Sequence, residues 1–245
     1  MNLLKACLNG SRLPGAHPAL PISPGEIAVA ARAAVAAGAG AVHVHPKDHT
    51  GADTLAAEHV DATVRAIRMV APGTPIGITT GAWAAVPGAD PSAAARTWRA
   101  RPDFASVNWH EDGAEELASA LLQVGVGVEA GLWTVDSVAR WRRSPLRHDC
   151  LRVLLEVVDD LAPDEAVGAA GELVDALGDV AVPVLLHGEQ SSAWPVFGEA
   201  VHRRLDARIG LEDVLSMPDG SPAPDNTALV TAAVEWIAAA GTEPA

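Results

Sequence analysis

Short apolar segments rich in β-branched residues alternate along the chain with longer segments that have the spacing of amphipathic helices. Strands bury alternate positions and helices bury every third or fourth, so the two patterns can be told apart. The predicted strands are Leu3–Leu8, Ala41–His45, Pro75–Thr79, Phe104–Asn108, Gly127–Leu132, Leu151–Val157, Val182–His187 and Ala207–Gly210. The predicted helices lie near 24–38, 55–70, 91–101, 113–123, 134–143, 163–177, 194–205 and 224–240.

Eight strand–helix pairs in 245 residues predict an α/β fold of the (β/α)8 type, a TIM barrel, in a single domain over 1–245. Such barrels typically take about 250 residues. A doubly wound open sheet is the alternative, because a strand count does not show that the sheet closes. No Gly-x-Gly-x-x-Gly motif follows the first strand, so a dinucleotide-binding fold has little support.

Three of the predicted helices begin with a capping signal. Ser23 precedes Pro24, and Glu26 follows three positions after the serine, which is the pattern of a capping box. Asp90 and Thr134 are weaker N-cap candidates of the same kind.

Polar side chains cluster where the predicted strands end, which is where a barrel carries its active site. They are Asn9, Ser11, Arg12, His43, His45, Thr79, Thr80, Ser106, Asn108, Glu156, His187, Glu189, Arg208, Glu212 and Asp213. Glu129 instead interrupts an apolar strand, and a carboxylate is almost never fully buried without a partner.

The most informative pair is His43 and His45, which close the second predicted strand. Residues two apart in a strand point to the same face, so both imidazoles can reach one point. Two satisfied histidines at a strand end are the alternative. The pattern favours a metal site, because imidazole is a common metal ligand.

The net charge of −14 argues against nucleic acid or an anionic membrane as a partner, although it leaves room for an anionic substrate in a locally basic pocket. Cys7 and Cys150 form no disulfide framework, which is typical of a reducing cytoplasm. We expect a cytoplasmic protein, because the first residues lack the pattern of a signal peptide and no apolar run has membrane length.

Four motifs together resemble one family. They are 20–28 before the first helix, 43–48 followed by Gly51, 79–81, and 208–213 followed by Asn226. In order and placement they resemble the β-keto acid cleavage enzymes, typified by 3-keto-5-aminohexanoate cleavage enzyme. The resemblance implies a zinc-dependent barrel and a homo-oligomer. It also implies acyl exchange between a small β-keto acid and acetyl-CoA, a retro-Claisen cleavage of a carbon–carbon bond.

The resemblance also implies roles for individual residues. The metal ligands are His43, His45 and Glu212, which hold Zn²⁺ or another divalent ion and leave a coordination position open. Asp213 corresponds to the general base, with a helix N-cap as its alternative role. Arg208 corresponds to the arginine that holds the keto-acid carboxylate, with an ion pair to Glu129 or Glu156 as the alternative.

The remaining site residues follow in the same way. Glu129 and Thr79 complete the catalytic set, with threonine in place of the family's serine. Arg12, Thr80, Gly81 and Asn108 are the expected substrate-binding residues.

The chain departs from the family just after strand one, where an acidic residue is usual and this sequence has Arg12, or Ser11 if the gap in the match falls differently. An arginine there disfavours an amine-bearing keto acid, unless its side chain points to solvent or pairs with Asp48. The use of acetyl-CoA rests on the resemblance, since no phosphate-binding motif is visible. Two alternatives are another metal-dependent lyase, aldolase or hydrolase, and a metal-stabilised barrel that binds a small acid without turnover.

Overall fold

Eight parallel strands close into a barrel in the order of the sequence. The structure is a computed structural model that describes residues 3–85 and 90–241. The strands are β1 Leu4–Cys7, β2 Ala41–Val44, β3 Ile76–Thr79, β4 Phe104–Asn108, β5 Gly127–Leu132, β6 Arg152–Val157, β7 Val184–Gly188 and β8 Asp206–Ile209. The last strand pairs with the first, with Lys5 opposite Arg208, and this pairing confirms the (β/α)8 barrel over the open sheet.

The eight strands alternate with eight helices in the described part of the chain. The helices are α1 Pro24–Ala36, α2 Ala57–Val70, α3 Pro91–Thr97, α4 Ala114–Gln123, α5 Val135–Arg143, α6 Pro163–Leu177, α7 Ala193–His202 and α8 Asn226–Ala240. Ser23 and Glu26 form the predicted capping box, and the side chains of Asp90 and Thr134 accept N-cap hydrogen bonds. None of the described helices is long and apolar enough to cross a membrane.

Helix α3 ends four residues before its predicted limit because Asp61 holds the chain that follows it. The Asp61 carboxylate accepts hydrogen bonds from the backbone N–H groups of Arg99 and Ala100, at 2.9 and 3.0 Å. Trp98 has already left the helix with extended backbone, and its indole donates to the Leu55 carbonyl at 3.0 Å.

Alternation along each strand separates an apolar outer face from a polar interior. Outward residues such as Ala6, Val42 and Ile209 belong to the hydrophobic core between barrel and helices. The interior instead holds Lys5 and Glu129, whose 2.5 Å ion pair joins β1 to β5 across the barrel. The strand periodicity therefore brings charged groups to the barrel axis, below the strand ends where the site lies.

Candidate active site

His43, His45 and Glu212 converge at the carboxyl ends of the strands and are called the metal triad below. The Nε2 atoms of His43 and His45 lie 3.8 and 3.6 Å from Oε1 of Glu212. Strand β1 separates β2 from β8 in the barrel, and Gly10 follows it without a side chain. A Cβ at Gly10 would come within 2.5 Å of Glu212 Cγ, so glycine makes room for the third ligand.

The chemistry of the triad fits a divalent metal ion. Two imidazole nitrogens and a carboxylate oxygen are a common zinc set that leaves room for a substrate atom. Glu212 Oε2 is buried without a hydrogen-bond partner in the described residues. Buried polar atoms are normally bonded, so this oxygen is consistent with a site that binds a further group. Burial lowers the pKa of His43 to about 3, which keeps its imidazole neutral.

Nearby charges determine the pKa values of the other two members of the triad, His45 and Glu212. Burial alone would lower the pKa of His45, but the carboxylates of Glu212 and Asp53 outweigh it and raise the value to about 9. Burial likewise opposes ionisation of Glu212, yet the Arg208 guanidinium holds its pKa well below the usual range. Glu212 is therefore an anion at neutral pH.

Arg208 is committed to the two acidic residues that follow its strand. Its Nε and Nη2 donate to Asp213 Oδ1 at 3.0 and 2.6 Å, and Nη2 also donates to Glu212 Oε1 at 2.8 Å. These ion pairs replace the alternative pairing with Glu129 or Glu156. Nη1 has no hydrogen bond to a described residue, and Arg208 lines the cavity, so this nitrogen can meet a ligand.

Asp213 lies beneath Arg208, fully buried, and does not line the cavity. Burial raises its pKa to about 6, against the opposing effect of Arg208. Its Oδ2 has no hydrogen-bond partner in the described residues. The N-cap of α8 is Asp225, so the alternative role of Asp213 as that cap does not apply.

A cavity of about 590 Å³ opens above the triad. Its wall consists of Ser11, Leu13, His43, His45, Thr79, Trp83, Ser106, Asn108, Trp133, Leu154, Glu156, Glu189, Arg208 and Glu212. The predicted residues Thr79 and Asn108 thus lie in the cavity wall. The same wall contains two further carboxylates, Glu156 and Glu189.

Other predicted site residues support this wall from behind. Thr80 donates through its hydroxyl to the Ser106 carbonyl at 2.6 Å, and the Gly81 N–H donates to Thr79 Oγ1 at 3.2 Å. Arg12 Nε donates to the Leu211 carbonyl at 2.6 Å, so this side chain neither pairs with Asp48 nor forms part of the cavity wall.

Glu129 lies one layer deeper than the cavity. It pairs with Lys5 and with Arg152, whose Nε is 3.1 Å from Glu129 Oε2, and these cations lower its pKa to about 2 despite burial. Ser106 Oγ donates to Glu129 Oε1 at 2.8 Å and itself lines the cavity. Glu129 therefore contacts the site through Ser106.

Sequence reasoning missed three residues at the site. Asp53 accepts a hydrogen bond from His45 Nδ1 at 2.8 Å, and Trp83 stacks on the same imidazole with ring centroids 6.5 Å apart. Trp133 donates to Glu156 at 2.9 Å across the cavity wall. The one available signal was Gly51 between Lys47 and Asp53, which is typical of a tight hairpin after a strand.

The family model for the β-keto acid cleavage enzymes matches residues 3–141 and 160–245. This chain belongs to the β-keto acid cleavage enzyme family. No curated protein sequence matches the chain. Since the family is one of enzymes, the site at the strand ends of this family member is a candidate active site.

Solved structures agree on the fold. The chain is similar to the apo structure of ObcA, with a TM-score of 0.76, 17% identity, and coverage of 91% of this chain and 63% of that one. A ternary complex of ObcA with a C4-CoA adduct and oxalate gives a TM-score of 0.70 at 17% identity, with coverage of 91% of this chain and 65% of that one. A type I 3-dehydroquinate dehydratase from Clostridium difficile gives a TM-score of 0.63 at 10% identity, with coverage of 99% of this chain and 93% of that one. This chain thus spans less than two thirds of the ObcA chains.

Proposed function

We propose that this chain is a zinc-dependent enzyme that exchanges acyl groups between a β-keto acid and acetyl-CoA. The observation that carries the proposal is the meeting of the metal triad at one cavity with Arg208, which is paired with the buried Asp213. ObcA, which has the same fold, is described in complexes with oxaloacetate and with a C4-CoA adduct. Both ligands are of the chemical classes that the proposal needs.

His43, His45 and Glu212 would hold the ion at the cavity floor. When bound, zinc would supply Lewis acidity to a keto or carboxylate oxygen. The protein's own groups then orient the substrate. Arg208 lines the cavity and would bind the carboxylate of the keto acid, with Nη1 as the donor not already used by Asp213 or Glu212. Thr79 Oγ1 accepts from Gly81 N–H, which leaves the hydroxyl proton free to donate to a substrate oxygen.

Asp213 is the proposed general base. The raised pKa of about 6 keeps the carboxyl close to the operating pH, which favours proton transfer in both directions. Arg208 fixes Oδ1 with two hydrogen bonds and leaves Oδ2 to accept the proton. Glu189 is the second candidate for this role, because it lies in the cavity wall and burial raises its pKa to about 7.

The overall reaction balances as an exchange. The bond between the keto carbon and the CH₂–carboxylate group of the β-keto acid breaks. The acyl group passes to CoA sulfur, and the acetyl group of acetyl-CoA joins the CH₂–carboxylate to give acetoacetate. No oxidant or reductant is needed.

A direct test incubates the zinc-loaded protein with acetyl-CoA and a panel of β-keto acids, and measures acetoacetate and the new acyl-CoA by mass spectrometry. Equal amounts of both products, absent in the His45→Ala variant, would support the proposal. Consumption of the keto acid without acetyl-CoA would favour a lyase or hydrolase, and binding without turnover would favour an acid-binding barrel.

A further inference from the structure

We propose that Lys47 and Asp53 form an outer clamp that positions two members of the metal triad, His45 and Glu212. The two side chains lie at the facing ends of a short hairpin after β2 and form an ion pair of 2.5 Å. The inference rests on the metal site of the proposed function. Lys47 lies within the 43–48 motif without a role assigned to it there, and Asp53 lies outside every motif named above.

Asp53 fixes the orientation of the His45 ring. Its Oδ2 lies 2.8 Å from His45 Nδ1, while the opposite nitrogen, Nε2, faces Glu212 at 3.6 Å. With Nδ1–H donated to a carboxylate, the lone pair of Nε2 is the one left for a metal. Such outer partners typically change metal affinity by about 10–100-fold when they are removed.

Asp53 is itself held rigidly. Its Oδ1 accepts from Lys47 Nζ, and its Oδ2 also accepts from the indole of Trp83 at 2.9 Å. The Asp53 side chain is only 4% exposed. A buried carboxylate bound on both oxygens by three donors cannot turn without losing charge-assisted hydrogen bonds. The His45 ring therefore has one favoured position.

Lys47 extends the clamp to the other side of the triad. Beyond Asp53, its Nζ donates to the backbone carbonyls of Gly10 at 2.7 Å and Arg12 at 3.0 Å. Gly10 packs so closely on Glu212 that a Cβ there would come within 2.5 Å of Cγ. By holding the loop after β1, Lys47 confines the Glu212 side chain from behind.

The hairpin itself does not need this ion pair. Backbone hydrogen bonds close it, from Thr54 N–H to the Pro46 carbonyl at 3.0 Å and from Asp48 N–H to the Ala52 carbonyl at 2.8 Å. The side chains of Lys47 and Asp53 instead hydrogen-bond to groups around the triad. We therefore assign them as positioning residues for the metal, not as hairpin supports.

The test measures zinc affinity by titrating the zinc-loaded protein with a chromophoric chelator, in wild type, Asp53→Asn and Lys47→Met. We expect each variant to bind zinc about 10–100-fold more weakly. The matched control is Asp48→Asn, which removes the same charge from the same hairpin. Asp48 is half-buried and accepts hydrogen bonds from Thr50 and Ala52, without contact to the triad, so affinity should stay within about twofold of wild type.

A second measurement uses wild type alone, so the inference does not depend on the variants folding. ¹⁵N NMR of the zinc-loaded protein should show His45 protonated at Nδ1 and metal-bound at Nε2. The opposite tautomer would overturn the inference, and so would Asp53→Asn binding zinc as tightly as wild type.

Failure of the clamp and failure of the proposed function look different in these experiments. A wild type that binds zinc tightly but cleaves no keto acid counts against the function alone. A wild type that binds no zinc overturns both.

Discussion

Replacing Asp213 by asparagine tests the proposed base most directly. The amide keeps the shape of the side chain and can still accept from Arg208, but it cannot take up a proton at neutral pH. A positioned general base contributes about 10²–10⁴-fold to the rate. We therefore expect kcat to fall by that factor, which corresponds to about 3–5 kcal/mol on the barrier.

The same substitution also costs stability, and the structure bounds the cost. Arg208 donates two hydrogen bonds to Asp213, of 3.0 and 2.6 Å, and both lose their anionic acceptor. Charged hydrogen bonds contribute about 1.5–3 kcal/mol and neutral ones about 0.5–1.5 kcal/mol. The hydrogen-bond loss is thus about 1–3 kcal/mol, but burial disfavours the Asp213 anion, as its raised pKa of about 6 shows, so the neutral amide regains part of it. Tm should therefore fall by less than about 2–4 °C per kcal/mol of the hydrogen-bond loss in a chain of this size.

Zinc content and calorimetry separate the two effects. Activity is measured as acetoacetate formation per zinc-loaded site, so that a partly unfolded sample does not mimic a catalytic defect. Glu189→Gln is tested in parallel, because it changes the competing carboxyl in the cavity wall to an amide. A variant at Asp213 with near-normal kcat at full zinc occupancy refutes the assignment. If Glu189→Gln then carries the loss, Glu189 is the base.

Four further predictions follow from the same site. Metal analysis should find about one zinc ion per chain in wild type and much less in His45→Ala, and full metal content in that variant would rule out the triad. Glu189 has a folded pKa raised from 4.5 to about 7, so its ionisation costs stability progressively as pH rises between these values; metal-free Glu189→Gln should gain more Tm relative to wild type at pH 8 than at pH 5. The sequence predicts that Arg12 disfavours 3-keto-5-aminohexanoate relative to neutral or dicarboxylic β-keto acids, whereas the Glu189 carboxyl in the cavity wall favours an amine. A best kcat/KM for the amine would assign the choice to Glu189, and a poor value would assign it to Arg12. Light scattering should give a mass above that of a monomer, since the resemblance implies a homo-oligomer. Among the described residues, Trp83 and Trp236 are the tryptophans exposed enough to lie in its interface.

The fold was predictable because the two periodicities are strong. Strand β4 and β5 match their predicted limits, and most other elements differ by one or two residues. Closure was not predictable from pattern, because the pairing of Lys5 with Arg208 joins residues from the two ends of the chain. The eight strand–helix pairs, the chain length and the family resemblance favoured a barrel over an open sheet, but none of them shows the pair that closes it.

The site was predictable where it follows from strand geometry. His43 and His45 share a face because they are two residues apart, and the structure places both beside Glu212. The partners of buried charges could not be derived in this way. Arg208 pairs with its near neighbours in sequence, whereas Glu129 pairs with Lys5, 124 residues away across the barrel. A single sequence does not show which of several oppositely charged residues pairs with a given buried charge.

The arrangement of these charges separates the chemistry from the choice of substrate. The Lys47–Asp53 clamp and Arg208 restrain the part of the site built from β1, β2 and β8, where the metal triad lies. The opposite wall carries Trp133, Glu156 and Glu189 from the ends of β5, β6 and β7. Glu156 is already bound by Trp133 and His187, at 2.9 Å each.

Glu189 differs from Glu156 because its nearest cation, Arg208 Nη2, lies 3.8 Å away and is held by other acids. Its carboxyl is thus the group in this wall with capacity left for a ligand. Substrate preference should therefore depend more on Glu189 than on Arg12, whose Nε is bound to a backbone carbonyl outside the cavity wall. A residue that selects the substrate tail from this side can change without disturbing the metal triad, since the clamp and Arg208 hold the triad from the other side.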